Sequence, residues 1–280
     1  MIPATFDYEV ADSAEHAIAL LGEREGAKLL AGGHSLLPAM KLRHSQPSLL
    51  VDVGRLSELS YVKDAGESIA IGALTRHQDI RDAALLREHC PIVSHTATLM
   101  GDPQVRHRGT IGGSLAYADP ASDPPAVMLA LDAELVIRGA DGERTVQASE
   151  FFTGLRQTAL GPAEMLVEVR VPKLGASTGW SYVKMSRRAQ DWATVAVAAV
   201  VERTNGSIGS AAIGLTNMGA TPLRAKAAEE ALRGGASLEE AAAAIPKDSD
   251  PPSDLTASAG FRRHLARVLG RRALEDAMAR

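Results

Sequence analysis

The sequence predicts an α+β protein in which a two-lobed N-terminal portion precedes a smaller α+β domain. Three observations carry this expectation. Two glycine pairs, Gly32-Gly33 and Gly112-Gly113, lie 80 residues apart, each in its own candidate lobe. Two hairpin signals, Gly139-Ala140-Asp141-Gly142 and Thr204-Asn205-Gly206, each separate strand-like runs. The last hundred residues run from strand-like to helical patterns, the order expected of a separate α+β unit.

Residues 1–56 are the expected first lobe. Asp12-Ser13-Ala14-Glu15 has capping-box spacing, and Ala14, Ala17, Ile18 and Leu21 recur on one helical face before Gly22. Residues 28–31 read as a short buried strand, 35–42 as a short helix after the first glycine pair, and 49–53 as another strand. Residues 57–173 are the expected second lobe, with a strand over 68–72 and a helix over 79–89 that places Ile80, Ala83 and Ala84 on one face. Residues 134–138 and 144–146 flank the first hairpin turn. Met165, Val167, Val169 and Val171 alternate with Leu166, Glu168 and Arg170 as a half-buried strand that Pro172 ends. Residues 172–179 are the linker candidate, and 177–280 the C-terminal domain. Its strand-like runs cover 192–201 and 207–215, its helical patterns 224–232, 237–244 and 260–279, and 246–254 is a loop.

With 280 residues, 45% apolar and 23% charged, the composition is that of a globular protein with a sizeable core. A net charge of -4 argues against a nucleic-acid footprint. No apolar run reaches membrane-spanning length, and Met1 to Asp7 lacks a basic region followed by an apolar core, so neither a membrane span nor a secretory signal is expected. The chain reads as cytoplasmic. Cys90 is the lone cysteine, which excludes an internal disulfide framework and any cysteine-built iron–sulfur or zinc site within these residues. The eight histidines show no metal-binding spacing, and His107, between Arg106 and Arg108, reads as a solvated loop residue. No metal site is expected, and redox chemistry would have to sit on a bound organic cofactor or a partner.

The glycine pairs are the chemical signal. In Ala31-Gly32-Gly33-His34-Ser35 and Thr110-Ile111-Gly112-Gly113-Ser114 a pair of glycines is followed by a hydroxyl residue. Such a loop adopts backbone conformations closed to other residues and turns its N–H groups toward an anion. The strand–glycine–helix order at 28–42 also sets the first loop at a positive helix end. One loop suits one phosphate, and two suit a pyrophosphate, hence a dinucleotide. Neither matches the Walker or the Rossmann glycine pattern.

Ala31-Gly32-Gly33-His34-Ser35-Leu36-Leu37-Pro38, Thr110 to Ser114, and Lys184-Met185-Ser186-Arg187-Arg188 together resemble the FAD-binding medium subunit of molybdenum hydroxylases, across essentially the whole chain. Met1-Ile2-Pro3, Asp102-Pro103-Gln104 and Ile213 to Asn217 favour the aerobic carbon monoxide dehydrogenase branch. The resemblance implies a two-lobed FAD-binding domain of the vanillyl-alcohol-oxidase/PCMH type. It implies FAD in this chain, with the molybdenum cofactor on a large partner subunit and 2Fe–2S clusters on a small one, in a dimer of heterotrimers. It also implies that Leu30 binds the cofactor and that the pyrophosphate lies on Ala31, Gly32, Gly33, His34, Ser35 and Leu36 and on Thr110, Ile111, Gly112, Gly113 and Ser114.

By the same resemblance Asp123 binds the ribose or adenine side. A carboxylate suits ribose hydroxyls, although the same residue type serves as a helix N-cap before Pro124-Pro125. Lys184 matches a lysine near the flavin ring, where a cation would stabilise the reduced form; a solvated strand-end lysine fits the sequence equally well. Met100 and Leu166 match apolar positions near the ring or adenine, with a core role open for both. Trp192, where relatives often carry tyrosine, offers a stacking plane or is a core residue starting a strand. Arg262, Arg263, Arg267, Arg271, Arg272 and Arg280 on the last helix, opposite Phe261, Leu265, Val268 and Leu269, form either a docking surface (for a partner or the inner membrane face) or a basic face packed on its own domain. No residue is expected to act on substrate. The implied function is electron transfer from iron–sulfur clusters through FAD to an external acceptor. The alternatives are a flavoprotein subunit acting with a partner on an N-heterocycle, ketone or aldehyde, a free-standing FAD oxidase, and a scaffold that has lost its cofactor.

Overall fold

The computed structural model describes residues 1–280. The first unit comprises β1 (Asp7–Val10), α1 (Ala14–Glu23), β2 (Lys28–Leu30), α2 (Leu36–Lys41) and β3 (Leu49–Asp52), with a parallel sheet in the order β1-β3-β2. β1 has no counterpart in the sequence reading, because this edge strand exposes Asp7, Tyr8 and Glu9 and lacks an apolar pattern. Ser13 caps α1 by accepting from the His16 N–H; the third helical residue is His16 rather than an acid, so the box does not form, and the helix runs through Gly22 to Glu23.

The second unit adds β4 (Val62–Ala65), β5 (Ser68–Gly72), α3 (His77–Asp82), α4 (Ala84–His89), α5 (Pro91–Thr98), α6 (Pro103–Arg106), α7 (Ile111–Tyr117), α8 (Asp123–Ala130), β6 (Glu134–Gly139), β7 (Gly142–Gln147), α9 (Ala148–Phe151), β8 (Phe152–Gly154), β9 (Gln157–Thr158) and β10 (Met165–Pro172). Its main sheet is antiparallel in the order β4-β5-β10-β6-β7. The helix expected over 79–89 is broken at Ala83, whose backbone is extended, giving α3 and α4. In β10 a bulge between Leu166 and Glu168 shifts the alternation. Met165 and Val167 therefore face the first unit, while Leu166, Val169 and Val171 face the helices.

The last unit holds β11 (Thr178–Met185), β12 (Val195–Thr204), β13 (Ser207–Thr216) and β14 (Leu223–Arg224), an antiparallel meander, then α10 (Lys226–Arg233), α11 (Leu238–Ala244) and α12 (Ala259–Ala279). β12 is buried on both faces, which explains its unbroken run of valine and alanine. Val195, Val197, Ala199 and Val201 pack toward α10 to α12; Ala196 and Ala198 join the core of the second unit, together with Tyr182 and Ala193. α8 is buried along its whole length between the two units. Gly214 permits this, since a Cβ there would lie 2.0 Å from the Ala126 carbonyl oxygen. On α12 Arg262 is fully buried and Phe261 exposed, which reverses the faces expected for these two residues; the helix turns its alanines and Leu274 inward.

Gly214→Ala should therefore push α8 off its sheet and cost about 3 kcal/mol. Gly66→Ala, whose φ is +80° but whose Cβ meets open space, should cost about 1 kcal/mol. Denaturant unfolding of both variants checks the order, and equal losses would refute the packing account.

Candidate cofactor site

A cleft of about 1000 Å³ runs between the first and second units and reaches the strands of the third. Its volume is at the upper end for small-molecule sites, about 300–1,000 Å³. The segment between β2 and α2 forms one wall. Gly33 has φ +77°, and a Cβ on Gly32 would lie 2.1 Å from the Arg108 carbonyl oxygen, so the two units meet backbone to backbone at this point. The N–H groups of Gly32, Gly33, His34 and Ser35 donate to no other group in the chain, and the Ser35 side chain makes no capping bond to α2. Four consecutive free donors at a glycine turn are an anion cradle.

The second glycine segment differs from the loop that was expected. Gly112 and Gly113 lie in the first turn of α7, which Thr110 caps by accepting from the Gly113 N–H at 3.2 Å. The Gly112 N–H donates to the Ala73 oxygen and the Ser114 N–H to the Thr110 oxygen. Its amides are thus committed. What this segment presents to the cleft is the Ser114 hydroxyl and Gly113, where a Cβ would lie 2.8 Å from the capping Thr110 Oγ1 and 4.0 Å from the Ala31 Cβ. Ile111 does not line the cleft; its side chain is buried in the core of the second unit.

All the other expected residues do line it: Leu30 to Leu36, Thr110, Gly112 to Ser114, Met100, Asp123, Leu166, Lys184 and Trp192. Met100 and Leu166 do so while largely buried. Asp123 opens α8, but the N-cap is Ser122, so the capping role falls away. Its carboxylate accepts from the Tyr182 hydroxyl at 2.6 Å and from the Lys184 ammonium at 2.8 Å. The side chains of the ion pair are only 7% and 5% exposed, and Lys184 also donates to the Leu99 oxygen, which rules out a solvated lysine. Burial pushes the Asp123 carboxyl above its ordinary range, and Lys184 and Tyr182 pull it back. Trp192 is not a core residue. It stands 52% exposed in the loop before β12. The buried Asn217 amide, donating to the Ala193 and Thr194 oxygens, and the Arg262 guanidinium, donating to the Thr194 oxygen, fasten that loop.

Several lining groups escaped the sequence reading. His77 is buried with Nε2 3.0 Å from the Ser114 Oγ, and burial lowers its pKa to about 4, so its ring is neutral. Arg156 pairs with Asp119 at 2.8 Å and lies over the Tyr117 ring. Arg24, Lys28 and His44 line the far end. Tyr182, which lies in the core behind Asp123 and does not line the cleft, left a signal: it alternates with Lys184 along β11, which puts both on one face.

Known proteins share this sequence and fold. Residues 4–174 match the family model of the FAD binding domain in molybdopterin dehydrogenase, and 180–277 that of the CO dehydrogenase flavoprotein C-terminal domain. The chain belongs to this family of FAD-binding subunits. It is 40% identical to the carbon monoxide dehydrogenase medium chain of Hydrogenophaga pseudoflava, covering 100% of this chain and 99% of that one. It is 38% identical to subunit alpha of the 6-hydroxypseudooxynicotine dehydrogenase complex of Paenarthrobacter nicotinovorans, covering 100% and 97%. A solved carbon monoxide dehydrogenase from Hydrogenophaga pseudoflava that lacks the Mo-pyranopterin moiety superimposes with a TM-score of 0.96 at 43% identity, over 100% of this chain and 99% of that one. As a member of the family the chain is an oxidoreductase subunit whose cofactor is FAD. The free amides at Gly32 to Ser35 and the volume of the cleft fit a dinucleotide.

Two outcomes test these contacts. Lys184→Met leaves a buried carboxylate unpaired and should cost about 3–5 kcal/mol, and adding Asp123→Leu should recover part of that loss in urea unfolding; a double variant no better than the single would refute the pairing. The unfolded chain protonates His77 near its ordinary pKa of about 6.5, whereas the folded chain does so only near 4. The contribution of His77 is therefore complete above about pH 6.5 and falls away as pH drops, by about 2 kcal/mol at pH 5. His77→Gln should flatten that part of the stability profile.

Proposed function

We propose that this chain is the electron-transfer subunit of a molybdenum hydroxylase, and that the assembly is an aerobic carbon monoxide dehydrogenase. The observation that carries the reading is the row of four free N–H groups at Gly32 to Ser35, in a cleft that Gly113 and the Ser114 hydroxyl also line. These groups suit the FAD pyrophosphate. Leu30, Ala31, His34, Leu36, Met100 and Leu166 would flank the cofactor, and Asp123 retains lone pairs for a ribose hydroxyl beside its bonds to Tyr182 and Lys184. Lys184 brings a buried positive charge to the cleft, and Trp192 an exposed aromatic plane. When bound, FAD exchanges electrons singly and in pairs, which suits it to link one-electron clusters to a two-electron acceptor. We read the chain as lobes 1–56 and 57–173 of the FAD-binding domain followed by a C-terminal domain, 177–280.

The partners in this reading are a large molybdenum-cofactor subunit and a small subunit with 2Fe–2S clusters, in a dimer of heterotrimers with an external electron acceptor. Both relatives named above are parts of larger enzymes by their names, a medium chain and a complex subunit. With Cys90 as its lone, buried cysteine, this chain builds no cysteine-ligated cluster. The placement is cytoplasmic, with peripheral attachment to the inner membrane face as its variant; no helix is long and apolar enough to cross a membrane. The 38% identity to the 6-hydroxypseudooxynicotine enzyme supports a second reading, in which the partner acts on an N-heterocycle, ketone or aldehyde.

The test is an absorbance spectrum after incubation with FAD and desalting, for the chain alone and for the chain co-purified with its partners. Flavin bands are expected in the parent and absent from the Gly33→Asp, Gly113→Asp double variant. Bands retained by the variant would move the pyrophosphate elsewhere, and no bands in either parent preparation would overturn the reading.

A further inference from the structure

Ser114 carries the hydroxyl at the end of the second glycine segment, it lines the cleft, and a buried histidine holds it. His77 opens α3, and its own N–H donates to the Gly109 oxygen at 3.0 Å. The ring packs beneath the segment so closely that a Cβ on Gly109 would lie 2.9 Å from its Cδ2. Nε2 lies 3.0 Å from the Ser114 Oγ. No charged partner stands on the ring in this arrangement.

A neutral imidazole carries one proton, and its position decides what the serine can do. With the proton on Nδ1, Nε2 takes the hydroxyl hydrogen and Ser114 shows only lone pairs to the cleft, which repel an anion. With the proton on Nε2, the ring donates to the Ser114 oxygen and leaves the hydroxyl hydrogen free. We infer that His77 is a positioning residue that acts as a donor through Nε2–H and aims the Ser114 hydroxyl hydrogen at a phosphate oxygen in the cleft. The inference rests on the FAD reading above, and the phosphate is that of the dinucleotide. Burial supports it by keeping the ring uncharged, so the tautomer rather than the charge sets the direction of the bond. Because the amides from Ile111 to Ser114 are committed to Thr75, Ala73 and Thr110, the orientation of the Ser114 hydroxyl bears on whether this end of the segment attracts or repels an anion.

The experiment is a thermodynamic cycle on FAD affinity, read by flavin fluorescence, using the chain or its co-purified complex, whichever holds FAD. The proteins are the parent, His77→Leu, Ser114→Ala, the double variant, His77→Gln and His77→Asn. A hydrogen bond to a charged oxygen is worth about tenfold or more in affinity, so Ser114→Ala and His77→Leu should each weaken binding about tenfold. The double variant should be no weaker than Ser114→Ala alone. Gln, whose amide nitrogen stands where Nε2 stood, should restore most of the affinity, whereas the shorter Asn should not. Losses that multiply in the double variant, a Gln variant as weak as Leu, or unchanged affinity in His77→Leu would each overturn the inference. If His77→Leu does not fold, the Gln and Asn pair decides. A parent that binds FAD and loses it with Gly33→Asp, while every His77 variant binds like the parent, would sink this inference alone; a parent that binds none would sink the FAD reading beneath it.

Discussion

At Gly32 two backbones from different units touch with no room for a side chain, and the cleft depends on that contact. The Arg108 carbonyl oxygen occupies the space a Cβ would take, so the segment after β2 can only lie flat against the stretch that leads into α7. With this approach fixed, Gly33 turns in the left-handed region and the amides of Gly32 to Ser35 have no partner within the chain. Backbone donors are rarely left without one in a folded protein. Here the residues that carry them line the cleft, where water or an anion can satisfy them.

The floor of the cleft ties the third unit to the same constraint. Asp123 starts a helix of the second unit, while Tyr182 and Lys184 belong to a strand of the third, and the bonds among them close the bottom of the site. Ala196 and Ala198 from the same sheet join the core of the second unit, and Gly214 lets α8 lie directly on it. The C-terminal unit is therefore part of the cleft wall and not an appendage. A fault in its packing would reach the site through α8, because that helix is buried between the two sheets along its whole length.

Much of this was legible in the sequence, because glycine pairs, hairpin turns and alternating strands have local physical causes. The β6–β7 and β12–β13 hairpins follow from turn residues that only a few conformations accept. What stayed hidden depends on long-range contact. β1 has no apolar pattern because one central strand suffices to hold it at the edge. The bulge in β10 re-aims Leu166 without any proline or glycine to mark it. Spacing alone could not show that Thr110 folds the second glycine pair into a helix, that Ile111 turns into the core, or that a solitary histidine some 37 residues upstream meets Ser114. The resemblance supplied most of the cleft residues; the structure supplied which of their donors are free.

The loop that carries Trp192 shows how the third unit also shapes the open end of the cleft. The indole is half-exposed and belongs to none of the three apolar cores, so core packing does not hold it. Its neighbours Ala193 and Thr194 are held instead, by the Asn217 amide and by a fully buried guanidinium at Arg262 that also binds the Pro252 oxygen and pairs with Asp254 at 2.8 Å. A buried arginine is costly unless its donors are used, and here they are spent on two loops rather than on the core. Asn217 itself sits at φ +62°, where its short polar side chain can reach both carbonyls. The stiffness of that exposed aromatic plane therefore comes from polar contacts at the base of α12. Through them the one buried arginine of α12, whose other arginines reach solvent, bears on the cleft.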